Sequence, residues 1–458
     1  MVFLQLDAAE APRGGKAVWL ADRLRAATAD GRLPVGTALP PSRQLAAELG
    51  LSRGAVVEAY GQLAEEGLTT ARAGAGTVVA RRHPAPVAPA EPAPPAPVVL
   101  DLSPSRPDLD AFPRAAWLRH QREALAAASA SDLAYGDPRG HLALRTALAA
   151  WLARHRGLRV SPDAVVVTAG VAQALAVTAQ VLVAADRRGI AVEDPGSPNA
   201  VDLLRHWGMR PRPVPVDEQG LRVDRVEDPA VLLTPAHQFP TGVVLSGERR
   251  RRLLDRLDRD DLLVVEDDYD ADQRYDRTPV VALHRSAPER VVHTGSMSKS
   301  LAPGLRLGWM VVPHRWREDV VAARRYADLG SPVIDQLTLA RLLGSGDYER
   351  HLRRQRRRLA LRRDTLVEEL SRTLPGCTVT GVRAGVHVVV TWPEGGLDEE
   401  SVRQALEERG VRVSTLGAHR WADGPPGLVL GFAANPPDRL RAAVRLIAEE
   451  LPAPARRR

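Results

Sequence analysis

The chain has 458 residues, 44% hydrophobic and 26% charged, enough for a sizeable core and too long for one ordinary domain, so two or three domains are expected. A single cysteine, Cys377, excludes a disulfide framework and a thiolate-rich metal site, so no metal centre and a cytoplasmic location are expected. The formal charge of +7 permits an anionic partner without showing one, and it is written almost wholly as arginine: 61 arginines stand against two lysines, Lys16 and Lys299, so a lysine here is informative.

The opening MVFLQLDAAE carries Asp7 and Glu10 and lacks the basic and apolar regions of a secretory signal. The longest apolar stretch, 169–185, is broken by Gln173, Thr178 and Gln180, which fits a buried helix and no membrane partner. Residues 84–97, PAPVAPAEPAPPAP, hold seven prolines in fourteen positions and read as a stiff, extended linker. The expected organisation is an N-terminal module (12–80), a Pro/Ala-rich linker (81–98) and a C-terminal body (99–458). The body is expected to comprise a large part over about 130–330 and a smaller lobe over about 331–452 plus 99–129.

In the N-terminal module, 19–29 is a plausible amphipathic helix. Two more helices follow, separated by the Gly50-Leu51 turn, with Ser52 as N-cap of the second. There Val56, Tyr60 and Leu63 at i, i+4 and i+7 face a core, which turns Arg53, Gly54 and Val57 outward near the helix start, where a recognition helix meets base edges and phosphates. TTARAGAGTVV (69–79) reads as two short strands around a glycine turn, a wing with Arg72 near its tip. Ten basic against eight acidic side chains in residues 1–83 do not separate DNA binding from protein interaction. The run LPPSRQLAAELGLSRGAVVEAYGQLAEEG followed by GAGTVV resembles the winged helix-turn-helix of the GntR family over about 65 residues. The resemblance implies binding to a double-stranded DNA operator, with Arg43, Ser52, Arg53, Gly54, Arg72 and Gly76 at the contact surface.

From Val160 to Val312 the body alternates helical stretches with apolar runs: 165–168, 189–193, 230–234, 262–266, 290–294 and 308–312. Runs that do not alternate with polar residues belong to strands covered on both faces, so the fold class is α/β with a mostly parallel sheet. Further on, VHVVV (386–390) and GLVLGFA (427–433) suggest a smaller α+β lobe. At the carboxyl ends of these strands, where α/β folds bind ligands, stand four groups of residues. GSMSKSLAPGLRLGW (295–309) sets Lys299 among hydroxyls with Arg306 seven places on, what a phosphate and an aldehyde would need. VVEDDYDADQRY (264–275) places a carboxylate, Asp267, and a phenol, Tyr269, fit to hold a pyridinium and a ring hydroxyl. VVVTAGVAQALAV (165–177) is a strand, turn and helix able to cradle a phosphate on its N–H groups. LLTPAHQFPTG (232–242) brings His237 and Gln238 to the same edge. Taken singly, each group also reads as a surface loop or an ordinary connection.

Taken in order they resemble the fold type I, class I aminotransferases over nearly all of residues 100–450. SPSRPDLDAFP, YGDPRGHLALR, AHQFPTG, EDDYDAD and GSMSK look like the MocR subgroup of GntR regulators, a winged helix joined to an aminotransferase-like domain. The resemblance implies pyridoxal 5'-phosphate as cofactor, with Lys299 forming the Schiff base, Asp267 on the pyridine nitrogen and Tyr269 on the ring hydroxyl. Ser296, Ser298, Arg306 and the turn Gly170-Val171-Ala172 would hold the phosphate, and His237 or Gln238 would complete the ring contacts. Tyr135 matches a tyrosine that reaches the neighbouring subunit's phosphate, so a homodimer is implied.

Two departures stand out. EDPGSPNA has Ser197 where the family usually has a ring-stacking aromatic. Val429 or a neighbour stands where aminotransferases carry a carboxylate-binding arginine, and Asn199 where some relatives carry a second. The leading reading is a regulator whose body senses a small effector, an amino acid, an amine or pyridoxal phosphate itself. The alternatives are a working aminotransferase with a DNA-binding appendage and a regulator whose body has lost its cofactor. The run YERHLRRQRRRLALRRD (348–364), with eight arginines, reads as a helix with a solvated basic face, or as an extension of the DNA footprint.

Overall fold

The computed structural model describes residues 3–12, 14–72, 76–81, 100–275, 280–381, 384–393 and 397–451. The expected linker, 81–98, lies outside them except for Arg81. Contacts divide the chain into two compact units, residues 1–94 and 95–458.

In the first unit three helices, α1 (Lys16–Ala29), α2 (Ser42–Leu49) and α3 (Arg53–Glu65), precede an antiparallel pair, β1 (Thr69–Arg72) and β2 (Gly76–Val79). Gly50 ends α2 at φ 63°, a conformation costly for other residues, and its N–H caps Ala46 O. Ser52 then caps α3 by accepting the Ala55 N–H at 3.2 Å. Leu20, Leu24, Leu45, Val56, Tyr60, Leu63 and Val79 form the core, each such burial contributing about 1.5–3 kcal/mol for a large aliphatic side chain. The expected recognition helix and wing strands are both present.

In the second unit β3 (Leu100–Asp101), α4 (Arg114–Ala127) and α5 (Leu142–Arg156) lead into the strands β4 (Val165–Thr168), β5 (Gly189–Asp194), β6 (Arg210–Asp217), β7 (Gly220–Leu221), β8 (Ala230–Leu233), β9 (Leu263–Asp267), β10 (Val291–Ser296) and β11 (Gly308–Val311). The helices α6 (Val171–Ala184), α7 (Pro198–His206) and α8 (Gly247–Arg259) intervene, and α9 (Arg317–Asp328) follows. The eight strands order as β4-β11-β10-β9-β8-β5-β6-β7, parallel from β10 to β6, with β11 antiparallel to both neighbours. Successive residues of one strand enter different cores: Leu263 and Val265 lie in one cluster and Val264 in another, which is why these runs carry no polar alternation.

The helices α10 (Val333–Gly344) and α11 (Asp347–Thr373) are followed by a four-stranded sheet ordered β12 (Thr378–Thr380), β13 (His387–Thr391), β16 (Gly427–Gly431), β15 (Ser414–Thr415). The helices α12 (Glu399–Glu408) and α13 (Pro437–Glu450) complete this lobe, and the short β14 (Val411–Arg412) pairs with β3. Leu100 and Leu102 join its core with Leu359, Leu366, Val388, Leu430 and Val444. The boundary differs from the expected one: Trp117 of α4 and Leu339 and Leu342 of α10 pack with Val165 and Trp309, so these helices lie against the large sheet, because their apolar stripes face its cover. β6, missed in the sequence, carries Pro211, Pro213 and Pro215 and pairs over its length only with β5, which leaves the prolines' missing N–H groups harmless.

Candidate functional site

The carboxyl ends of β9 and β10 form the floor of the site. The acidic run at the end of β9 and just beyond it is no solvated loop, because its members have separate internal partners. Glu266 receives the N–H groups of Leu283 and His284 and lies beside His293. Asp268 takes Arg156 bidentately, Nε at 2.7 Å and Nη2 at 2.9 Å, with both side chains buried. Asp270 meets His237, and Asp272 accepts from the Tyr348 hydroxyl at 3.0 Å.

Asp267 alone among them leaves a shielded oxygen, Oδ1, with no partner. Burial, then the nearby Asp268 and Asp270 charges, pushes its carboxyl up to about 7 against the opposing pull of Lys299. A cationic ring nitrogen would supply the partner this oxygen lacks. Lys299, in the turn after β10, is lowered by burial against the pull of Asp270 and Asp267, and its Nζ donates to Ser105 O at 2.7 Å. Its neutral form, the nucleophilic one, is thereby favoured. Lys299, Ser296, Tyr269, Asp270 and Trp309 line one small cavity.

At the head of α6, Gly170 adopts φ 98° and is followed by Val171 and Ala172 in the first turn. A Cβ on Gly170 would stand 3.5 Å from Arg306 Nη1, so the guanidinium lies beside the head of α6, where the first-turn N–H groups lack intrahelical partners. Gly308 makes the approach possible, since a Cβ there would meet Gly170 Cα at 2.7 Å. Ser296 Oγ accepts the Ser298 N–H at 3.4 Å on the other side of the lysine turn. These residues fit a phosphate.

Of the two ring-contact candidates the structure separates His237 from Gln238. Gln238 Nε2 donates to Pro195 O and Phe239 O, and its Oε1 accepts from Thr241, so the amide is engaged by the loop after β5 and by its own turn. His237 Nδ1 lies 3.0 Å from the Tyr269 hydroxyl and 2.7 Å from Asp270 Oδ2. Tyr135 is 90% exposed.

Both departures are explained locally. Ser197 is the N-cap of α7, accepting the Ala200 N–H at 3.4 Å, and the aromatic neighbour of Tyr269 is Phe239, at 6.1 Å edge to face. Val429 is fully buried in an apolar cluster with Val389 and Leu416. Asn199 is exposed. Sequence reasoning missed Asp270, whose only signal was membership of the acidic run, and Arg156, for which the sequence carries none.

In the first unit Arg43, Ser52, Arg53, Gly54 and Gly76 are exposed, and Val57 is 51% exposed on the same outward face of α3. The Arg72 side chain lies outside the described residues, as do residues 73–75 of the wing turn. No helix among the described residues is long and apolar enough to cross a membrane, and no group of three or more His, Cys, Asp or Glu among them is placed to hold a metal ion.

A winged helix-turn-helix unit followed by a fold type I body with an aminotransferase-like site defines a class, the transcription regulators built on an enzyme fold. Residues 17–79 match the family described as bacterial regulatory proteins, gntR family, and residues 97–447 match aminotransferase class I and II, a family that binds pyridoxal phosphate. The chain belongs to the MocR-type GntR regulators. It is 34% identical over 433 residues to the HTH-type pyridoxine biosynthesis transcriptional regulator PdxR of Corynebacterium glutamicum, covering 92% of this chain and 93% of that protein. It is 31% identical over 454 residues to a protein of Rhizobium meliloti named as the probable rhizopine catabolism regulatory protein MocR, covering 93% and 91%. Among solved structures, an archaeal alanine:glyoxylate aminotransferase matches 77% of this chain and 90% of its own at TM-score 0.70 and 28% identity.

Proposed function

We propose that this regulator binds pyridoxal phosphate at Lys299 and responds to it, or to a close relative of it, by changing its hold on an operator. The observation that carries the reading is the unpartnered, shielded Oδ1 of Asp267 beside a lysine whose charge burial disfavours. When bound, the cofactor supplies an aldehyde and a conjugated pyridine ring. Lys299 is the amine that meets the aldehyde, Asp267 holds the proton at the ring nitrogen, and Tyr269, with His237 behind it, faces the ring hydroxyl. Arg306, Ser296, Ser298 and the α6 turn at 170–172 hold the phosphate. Arg43, Arg53, Arg72 and Gly76 touch DNA, with Ser52 and Gly54 setting the entry of α3. Our reading takes the domain limits as 12–80, 81–98 and 99–458 and places the protein in the cytoplasm.

The apolar cluster at Val429 offers no cation to an α-carboxylate, which favours the cofactor itself over an amino acid as effector and disfavours the aminotransferase reading. The name of the Corynebacterium relative, a regulator of pyridoxine biosynthesis, points the same way. A homodimer is supported by apolar side chains left exposed on and after α4, namely Leu118, Leu125, Leu133, Tyr135 and Leu142. A DNA fragment selected by the purified chain from a random library tests the reading: pyridoxal phosphate should shift its affinity while alanine and glutamate leave it unchanged. A shift with the amino acids alone would overturn it.

A further inference from the structure

The first turns of the arginine-rich helix α11 hold the lysine turn from behind: His351 Nε2 donates to Ser300 O at 2.6 Å and Gln355 Nε2 to Lys299 O at 3.4 Å. The same two residues line an open cleft of about 740 Å³ between α11 and the start of α4. That cleft is of a size to take a small molecule and shares no lining residue with the cavity around Lys299. We infer that it is a second binding site, for a small phosphate ester carrying a hydroxyl group, and that its occupancy tightens the hold on the lysine turn. The site stands by itself; the coupling rests on the cofactor reading just given.

Five arginines line the cleft against two aspartates. Asp347 is already shared by Arg119, His120 and Arg350, and Arg358 pairs with Asp108 at 3.0 Å. Arg114, Arg354 and Arg357 are left exposed, with no ion pair among the described residues, opposed by the exposed Asp110. The N-terminus of α4 lines the same cleft. Its N-cap position is Pro113, which has no cap to offer, and its first turn carries no acid, so the N–H groups of Ala115 and Ala116 lack an intrahelical partner. Unpaired guanidinium groups beside a helix N-terminus suit a phosphate dianion.

A second observation fixes the rest of the ligand. Gln355 is 2% exposed, and its shielded Oε1 has no donor. The His351 ring proton sits on Nε2, because Ser300 O can only accept; burial lowers the ring's basicity, so Nδ1 is an acceptor too. An anion cannot satisfy an acceptor, whereas a hydroxyl can. The backbone phosphates of duplex DNA carry one charge each and no hydroxyl, so these acceptors favour a small ester over DNA. A hydrogen bond received at Gln355 Oε1 polarises the amide and strengthens its donation to Lys299 O. By reciprocity, bound cofactor tightens the ester by the same factor.

The test uses the full chain loaded with pyridoxal phosphate and reduced with borohydride, so that the phosphate place at Arg306 and α6 is filled. Glycerol 3-phosphate should bind in a calorimeter, and methyl phosphate, which has no hydroxyl, should bind about fivefold more weakly at a pH where both are dianions. Arg354→Gln and Arg357→Gln, both on the surface, should each weaken both esters about three- to tenfold. Gln355→Met should weaken glycerol 3-phosphate alone and erase the difference between the two. In the unreduced chain glycerol 3-phosphate should slow release of the cofactor about two- to fivefold, and Arg357→Gln should remove that effect. Release is first order, so competition for the emptied place cannot mimic the slowing. No binding by wild type, or binding indifferent to Arg357→Gln and Gln355→Met, would overturn the site. Weaker operator binding by the two arginine variants with no ester bound would give the cleft to DNA and overturn it as well. Unslowed release would overturn the coupling. A wild-type chain with no visible band would overturn the cofactor reading and the coupling with it, while ester binding lost in Arg357→Gln would uphold the site.

Discussion

At the scale of single residues the acidic run 266–272 shows how the chain builds a site from side chains that look alike in one dimension. Among the described residues Arg156 is the arginine that pairs bidentately with buried Asp268, so Arg156→Leu should leave a poorly compensated charge and cost about 3–5 kcal/mol in denaturant unfolding of the body. An unchanged midpoint would show that the pair is dispensable. Gly308→Ala should part the two backbones that meet at Gly170, cost about 1–3 kcal/mol, and weaken cofactor binding more than it weakens folding. The placing of Lys299 and Asp267 at the carboxyl ends of neighbouring strands was legible, because the apolar runs before them mark those strands. The pairing of Asp268 was not, since its partner lies 112 positions away, and nothing in HQFPTG shows that the Gln238 amide bonds Pro195 and Thr241.

At the scale of elements, the strands were legible as unbroken apolar runs because two cores claim alternate residues of each. The division of the helices was not: which sheet α4 and α10 cover is a matter of tertiary packing, and their own periodicity is the same either way. Asp347, at the start of α11, binds Arg119 and His120 of α4 as well as Arg350. Burial alone would raise it, but the hydrogen bonds from His120, Arg350 and Ser345 outweigh that and hold it at about 2. An acid lowered in the folded state adds stability above its unfolded value near 4, and that contribution is lost as pH falls toward 2. The melting temperature of Asp347→Asn should therefore lie below that of wild type at pH 5 and converge with it as the pH approaches 2; parallel curves would contradict the assignment.

At the scale of the whole molecule, two units with different partners are joined in one chain, and charge alone does not say which arginines meet DNA. In α11, Arg350, Arg358 and Arg362 are ion-paired and Arg356 and Arg363 bond backbone carbonyls, while Arg353, Arg354 and Arg357 are exposed with no ion pair among the described residues. Replacing those three by glutamate should leave the salt dependence of operator binding unchanged, as a solvated face requires. Arg53→Ala should reduce the slope by about 0.9, one phosphate contact. A flattened slope in the triple variant would instead extend the footprint to the body.

The central claim is that a vitamin-derived aldehyde is held covalently at the second of the chain's two lysines. Borohydride reduction of the full chain after incubation with pyridoxal phosphate, followed by peptide mapping, tests it directly. A single pyridoxyl-modified peptide containing Lys299, lost in Asp267→Asn at the same cofactor concentration, is the predicted result. An unmodified Lys299, or modification confined to Lys16, would contradict the account.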